Sequence, residues 1–192
     1  TNSGSVTDLV VTNSTFDNNA TQSGLNGSSH VKLYNFDGNA SFTDVTITAA
    51  TGVTDVAARP DYGIDLVGVA NTPTDPSPDL GTVTFNNVTV EGEFHKNATA
   101  VFNYGEIDGL SITGLDLSGA ETGWGPVFNI DGIEDATIDT SGFGITFPTT
   151  SEIVSEIQGE KDGQGSTDTT LTGTDANDRM MGKTGDDTLR GG

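Results

Sequence analysis

Two sets of residues have types and spacings that can do chemistry. From Gly173 the chain reads GTDANDRMM, then GKTGDDTLR, then GG. Gly173 and Gly182 open the two nonapeptides, and Gly185 stands fourth in the second. Asp178 and Asp187 stand sixth, and Met180 and Leu189 eighth. Glycine allows a tight turn with positive φ and leaves its carbonyl oxygen open. Aspartate supplies the hard carboxylate oxygen that Ca²⁺ prefers. The spacing predicts a turn repeat rich in hard oxygen donors, with each eighth residue pointing inward.

The second set is polar and scattered. Tyr62, Asp65, His95 and Lys96 are the candidates for acid–base work, which needs two titratable groups close together. His95 and Lys96 are the best basic pair, and Tyr62 is a candidate phenolic acid. Asp61, Glu106 and Glu121 are further carboxylates on the same loops. Arg59 and Trp124 are the candidates for holding a substrate. Trp124 is the only tryptophan and is flanked by glycines. The chain has no cysteine, which excludes disulfides, thiolate metal sites and a thiol nucleophile. No phosphate-cradling loop, zinc motif or serine-triad signature occurs, so nucleotide and nicotinamide chemistry are set aside.

The elements that must position these residues are all-β. Only 32% of the 192 residues are hydrophobic, and glycine is abundant at 26. A thick layered core is therefore not expected. Short β-branched runs nevertheless recur between polar stretches, which disordered chains lack. One strand type recurs at 8–12 (DLVVT), 44–48 (DVTIT), 87–91 (NVTVE), 109–113 (GLSIT) and 135–139 (DATID). Each alternates with period two, as a strand with one buried face does. The expected inward pairs are Leu9/Val11, Val45/Ile47, Val88/Val90, Leu110/Ile112 and Ala136/Ile138. A second type recurs at 30–36 (HVKLYNF), 62–68 (YGIDLVG), 100–104 (AVFNY) and 126–130 (PVFNI).

Two strand types in fixed order predict stacked coils. Asn35, Asn103 and Asn129 hold matching places in the second type, which predicts an asparagine ladder up the stack. The candidate residues fall on inserted loops, where function concentrates. Residues 151–157 (SEIVSEI) read as a short capping helix, and 159–168 as a linker. The chain divides into a solenoid over 1–150, a cap and linker over 151–168, and the start of the repeat array over 169–192.

Formal charge is −21. Such a surface repels nucleic acid and anionic lipid, so neither is an expected partner. No run reaches transmembrane length, and residues 1–20 lack the basic start and apolar stretch of a signal peptide. The chain opens in mid-pattern and is expected to be part of something longer, continuing into further repeats.

The strand pattern over roughly 5–147 resembles the right-handed, single-stranded parallel β-helix superfamily, which includes pectate lyase-like enzymes. About five coils are expected. The nonapeptides resemble the RTX calcium-binding family, with Thr174, Ala176 and Lys183 where that family favours glycine. A β-helix joined to such repeats is the layout of secreted mannuronan C5-epimerases and related lyases. Tyr62-Gly63-Ile64-Asp65 matches the first half of their Y-G-x-D-P-H-E motif, and Leu66-Val67-Gly68 replaces the rest. The resemblance implies Ca²⁺ as cofactor, held through Asp178, Asp187, Gly173, Gly182 and Gly185, with an extracellular polysaccharide as partner and bacterial type I secretion. A non-catalytic structural or adhesive solenoid is the alternative, because one fold hosts many functions.

Overall fold

The structure, a computed structural model, describes residues 8–18, 28–34, 38–67, 80–102, 107–131, 138–139, 144–148, 155–158, 170–174, 176–182 and 185–191. The described strands form three sheets, and every strand pair in them is parallel. The first sheet runs β1 (Asp8–Asp17), β3 (Gly38–Thr48), β5 (Leu80–Phe94), β7 (Ile107–Asp116), with β8 (Ala120–Thr122) beside the end of β5. The second runs β2 (Ser29–Tyr34), β4 (Tyr62–Val67), β6 (Asn97–Phe102), β9 (Phe128–Asp131), β11 (Ser155–Gln158), β13 (Asp178–Met181). The third holds β10 (Ile138–Asp139), β12 (Thr170–Thr172) and β14 (Thr188–Arg190). The chain alternates between sheets and stacks each strand on its counterpart a turn later. The fold is all-β and compatible with a β-helix-like solenoid.

The core is a set of columns running up the stack. Phe42 pairs in register with Phe85, and Phe85 with Ile112. The two phenyl rings stack at 5.5 Å. Val45, Val88 and Leu115 form a second column, and Ile47 and Val90 a third. From the other sheet, Leu66, Ile130 and Ile157 close the interior. Each column buries β-branched, aliphatic or aromatic side chains from successive turns. A chain poor in leucine can thus still exclude water, at about 1.5–3 kcal/mol per large side chain buried.

The long strands of the first sheet bend at one fixed level. Asn13, Asp44, Asn87 and Gly114 have φ of 46°, 53°, 54° and 66°. Their flanking residues pair in register, so the four stand one above another. Asn87 Nδ2 donates to Asp44 Oδ1 at 2.7 Å. Gly144, at φ 62°, continues the column next to Gly114. Asn, Asp and Gly tolerate this left-handed conformation better than other residues. The bend also shifts the inward parity: Ala40 and Phe42 face the core before it, Val45 and Ile47 after it.

That parity shift corrects the expected register. Leu9 and Val11 stack on Ala40 and Phe42, not on Val45 and Ile47. Likewise Leu110 and Ile112 stack on Val83 and Phe85. The recurring five-residue pattern therefore marks both halves of a bent strand, which period two alone cannot separate. Ile138 joins the third sheet by pairing with Leu171. Asn129 lies level with Ala100 and Glu156, so it has no asparagine beside it in register. Asn35 and Asn103 lie outside the described residues. One side-chain bond between successive turns, Asn87 to Asp44, lies at the bend.

The expected helix at 151–157 is also corrected. Ser155–Gln158 is a strand, paired to β9 on one side and β13 on the other. Ile157 is fully buried, so stacking outweighs the capping serine. Residues 151–154 and the expected linker at 159–168 lie outside the described residues. No described helix is long and apolar enough to cross a membrane.

Candidate functional site

Four successive turns meet at one corner, at the entry to the second sheet. Tyr62 N donates to Ser28 O at 3.1 Å, and the Asp61 amide donates to Ser28 Oγ at 3.1 Å. Asp61 O accepts from Lys96 N at 3.0 Å and Asn97 N at 3.2 Å. Gly125 N donates to Lys96 O at 3.2 Å, and Gly123 N to Phe94 O at 3.0 Å. These backbone bonds bring Tyr62, His95, Lys96 and Trp124 together from three separate loops.

The side chains continue the contact. Asp61 is buried, and its Oδ1 lies 2.8 Å from His95 Nδ1. Its Oδ2 lies 3.9 Å from Lys96 Nζ. An ionised Asp61 accepts, which places a proton on Nδ1 and turns Nε2 to the other side of the ring. That Nε2 is buried and has no hydrogen-bond partner. The His95 ring lies 4.1 Å from the Trp124 ring, tilted at 59°. Lys96 Nζ sits 5.4 Å from the Tyr62 ring centroid, a cation–π distance.

Trp124 is 73% exposed but firmly held. A Cβ on Gly123 would come within 2.5 Å of Val56 Cγ1 and 2.9 Å of His95 O. One on Gly125 would come within 2.6 Å of Asn97 Nδ2 and 3.0 Å of Lys96 O. Thr122 Oγ1 closes the loop by donating to Gly125 O at 2.6 Å. The glycines let the loop press onto the turn below while the indole stands in solvent.

Asp65 lies on the same strand as Tyr62, three residues on, and faces away from core residues Ile64 and Leu66. It is 2% exposed. Lys32 Nζ stands 3.0 Å from Oδ2, Ser29 Oγ donates to the same oxygen at 3.4 Å, and Oδ1 has no partner. Burial pushes its carboxyl above the usual range, against the opposing pull of Lys32, Ser29 and Lys96. Lys96 thus links Asp65 electrostatically to the Asp61–His95 pair.

Arg59 is committed elsewhere. Its Nε and Nη2 donate to Val53 O, both at 3.2 Å. Nη2 lies 3.1 Å from Glu93 Oε2 and Nη1 3.4 Å from Glu121 Oε1. Glu93 also accepts from Gly52 N at 2.7 Å and Val53 N at 2.9 Å. Arg59 therefore fastens the loop before the short 3₁₀ turn Val56–Ala58 to the β5–β8 edge. It supports the corner without facing out of it.

The expected acid–base and stacking residues thus converge, with Arg59 behind them. Sequence reasoning gave Asp61 no special role, although it immediately precedes the Tyr-Gly motif and holds the turn. Lys32, Ser29 and Glu93 were also missed. Only strand register brings them in, and no short motif signals it. Glu106 lies outside the described residues.

The tail has its own geometry. Leu171 pairs with Leu189, two nonapeptides on, while Met180 between them lies in the other sheet. The Asp178 carboxylate accepts from Thr174 N, from Thr174 Oγ1 at 2.7 Å and from Ser155 Oγ. A Cβ on Gly173 or Gly182 would overlap the carboxylate of Asp178 or Asp187, so each aspartate folds onto the glycine opening its repeat. Gly185 has φ 124°. Hard oxygen donors suit Ca²⁺ in kind. Among the described residues, no three acidic or histidine side chains gather as a metal site.

No protein-family model, curated protein or solved structure matches this chain.

Proposed function

We propose that this chain is part of a secreted, polysaccharide-acting protein, epimerase- or lyase-like in architecture. Its body is a right-handed, single-stranded parallel β-helix of about five coils, extended by RTX-type calcium-binding repeats. One observation carries the reading: a solvent-facing Trp124, held between two closely packed glycines, lies against the buried His95 ring. An indole face suits the C–H face of a sugar ring. Asp61 orients the imidazole, Lys96 and Tyr62 flank it, and Arg59 holds the loop beneath.

Calcium belongs to the same reading. Asp178 and Asp187 would hold it together with the carbonyls of Gly173, Gly182 and Gly185. The ion would neutralise acidic turns that otherwise repel. A chain without cysteine and with acidic turns suits export in an unfolded state and folding in a calcium-rich exterior.

The test is retention on, and product release from, a panel of neutral and acidic polysaccharides. The parent chain is compared with Trp124→Ala and His95→Ala. The reading fails when no glycan is retained or altered, or when both variants behave as the parent does. A second reading, a non-catalytic structural or adhesive module, is favoured by the burial of Asp61 and Asp65 and their pairing with Lys96 and Lys32. Retention without any product would select it.

A further inference from the structure

We infer that one outer panel of the first sheet binds ice. The panel is the solvent side of β1, β3, β5 and β7 before the bend. Its inner side is formed by Ala40, Phe42, Val83, Phe85 and Ile112, all fully buried. The residues between these point outward and fall into ranks by register. One rank is Val10, Ser41 and Thr84, and the next is Thr12, Thr43, Asn86 and Thr113. Parallel pairing spaces the members of a rank by about 4.8 Å, and alternate residues along a strand by about 6.6 Å. The result is a regular array of hydroxyl and methyl groups. Val10, Thr12, Asn86 and Thr113 are exposed, and Ser41, Thr43 and Thr84 are half-buried. No described residue takes a hydrogen bond from the hydroxyls of the two ranks.

The panel is neutral in a chain of formal charge −21. Among the described residues its charges stand only at the margins, and both are bonded. Asp8 Oδ1 accepts from Asn39 Nδ2 at 2.9 Å, and Asp44 Oδ1, at the bend, accepts from Asn87 Nδ2 at 2.7 Å. Asn39 Oδ1 in turn accepts from Thr82 N at 2.8 Å.

Ice is a neutral, rigid lattice of donors and acceptors, and liquid water competes for every bond it offers. Adsorption therefore needs many weak contacts made at once by groups already held in place. Threonine is stiff at χ1, and the stacked rings of Phe42 and Phe85 lie behind the ranks. Hydroxyls both donate and accept, and methyl groups restrict the water beside them. Charged side chains would instead orient water around each ion. Other occupants fit this chemistry less well. A crystalline glycan calls for aromatic platforms, and a second copy for an apolar, aromatic centre. The described panel offers Val10 alone. Anionic lipid or mineral finds no cation there. The Trp124 corner lies at the entry to the second sheet, so this activity goes beyond the carbohydrate reading and stands apart from it.

The full chain is placed in a solution from which polycrystalline ice grows slowly, and chain in the melted ice and in the remaining liquid is quantified by amide absorbance. The parent is expected to be enriched in the ice and to slow recrystallisation. Thr43→Tyr with Thr84→Tyr keeps good strand formers but pushes rings out of the plane. That pair is expected to lose the enrichment, down to the level of a non-binding carrier protein, with an unchanged urea midpoint. Thr12→Lys with Thr113→Lys alters only exposed ends of one rank and is expected to lose it as well. Thr46→Tyr with Thr89→Tyr, beyond the bend, and Trp124→Ala are expected to match the parent. A parent excluded from ice, or panel variants that enrich as the parent does, would overturn the inference and leave the carbohydrate reading standing. Retention on crystalline cellulose that is lost with the Thr43 and Thr84 pair, but kept by Trp124→Ala, would also overturn it by assigning the panel to a glycan surface.

Discussion

Replacing Asn87 tests whether the bend column is set by backbone conformation. Asn87 holds φ 54° and donates to Asp44 Oδ1 at 2.7 Å on an exposed face. Asn87→Ala loses that bond, worth about 0.5–1.5 kcal/mol. It also forces a β-carbon into the left-handed region, at roughly 1–2 kcal/mol. Asn87→Gly loses the same bond without that strain, at the cost of a more flexible unfolded chain. The alanine variant is therefore expected to unfold about 1 kcal/mol sooner than the glycine variant. In urea that gap is a midpoint difference of roughly 0.3–1 M, for m of about 1–3 kcal/mol/M. Gly114→Ala isolates the strain further. Its Cβ would meet Asn87 N at 3.5 Å, an ordinary contact, so any loss comes from its φ of 66°. That loss is expected at about 1–2 kcal/mol. Equal midpoints for Asn87→Ala and Asn87→Gly, together with a parent-like Gly114→Ala, would refute a conformationally fixed bend.

Three further outcomes follow from buried charge. His30 is buried with both ring nitrogens unpartnered, and burial holds it below its ordinary 6.5 against the pull of Asp17. The unfolded chain therefore takes up the proton first, so stability falls as pH drops below about 6.5 toward the folded value. Urea midpoints measured against pH should show that slope, and His30→Leu should flatten it. Asp65 has the opposite linkage: its raised carboxyl is protonated first in the native state. Its stabilising contribution is present below 3.8 and declines as pH rises through the folded value. Asp65→Asn should remove that dependence and, at pH 7, match or exceed the parent's urea midpoint; an earlier midpoint would show that the Lys32 pair is net stabilising. Arg59→Lys keeps the charge but loses the planar fork that reaches Val53 O and two glutamates. It is expected to cost about 2–3 kcal/mol and to expose amides at Gly52 and Val53 in hydrogen exchange; unchanged protection there would contradict the clamp.

The recurring β-branched runs, read with a period of two, determined by themselves that the chain is a stack of strands in two alternating types; the parallel pairing is seen in the structure. The order of those types and the inward residues Val45, Ile47, Val88 and Val90 were legible because burial alternates along each half-strand. The nonapeptide spacing predicted inward-pointing Met180 and Leu189; Met180 packs against the core, whereas Leu189, in the last described strand, is exposed. Tertiary structure alone decided which half-strand stacks on which. One left-handed residue at Asn13, Asp44, Asn87 or Gly114 resets the parity, and nothing in a five-residue pattern records it. Stacking also made a strand of Ser155–Gln158, whose Ile157 gains more from the core than its serine gains from capping a helix. The corner was legible as residue types but not as a place. Asp61, His95 and Trp124 come from three loops whose insertions have unequal lengths. Only the backbone bonds between successive turns bring them within reach of one another.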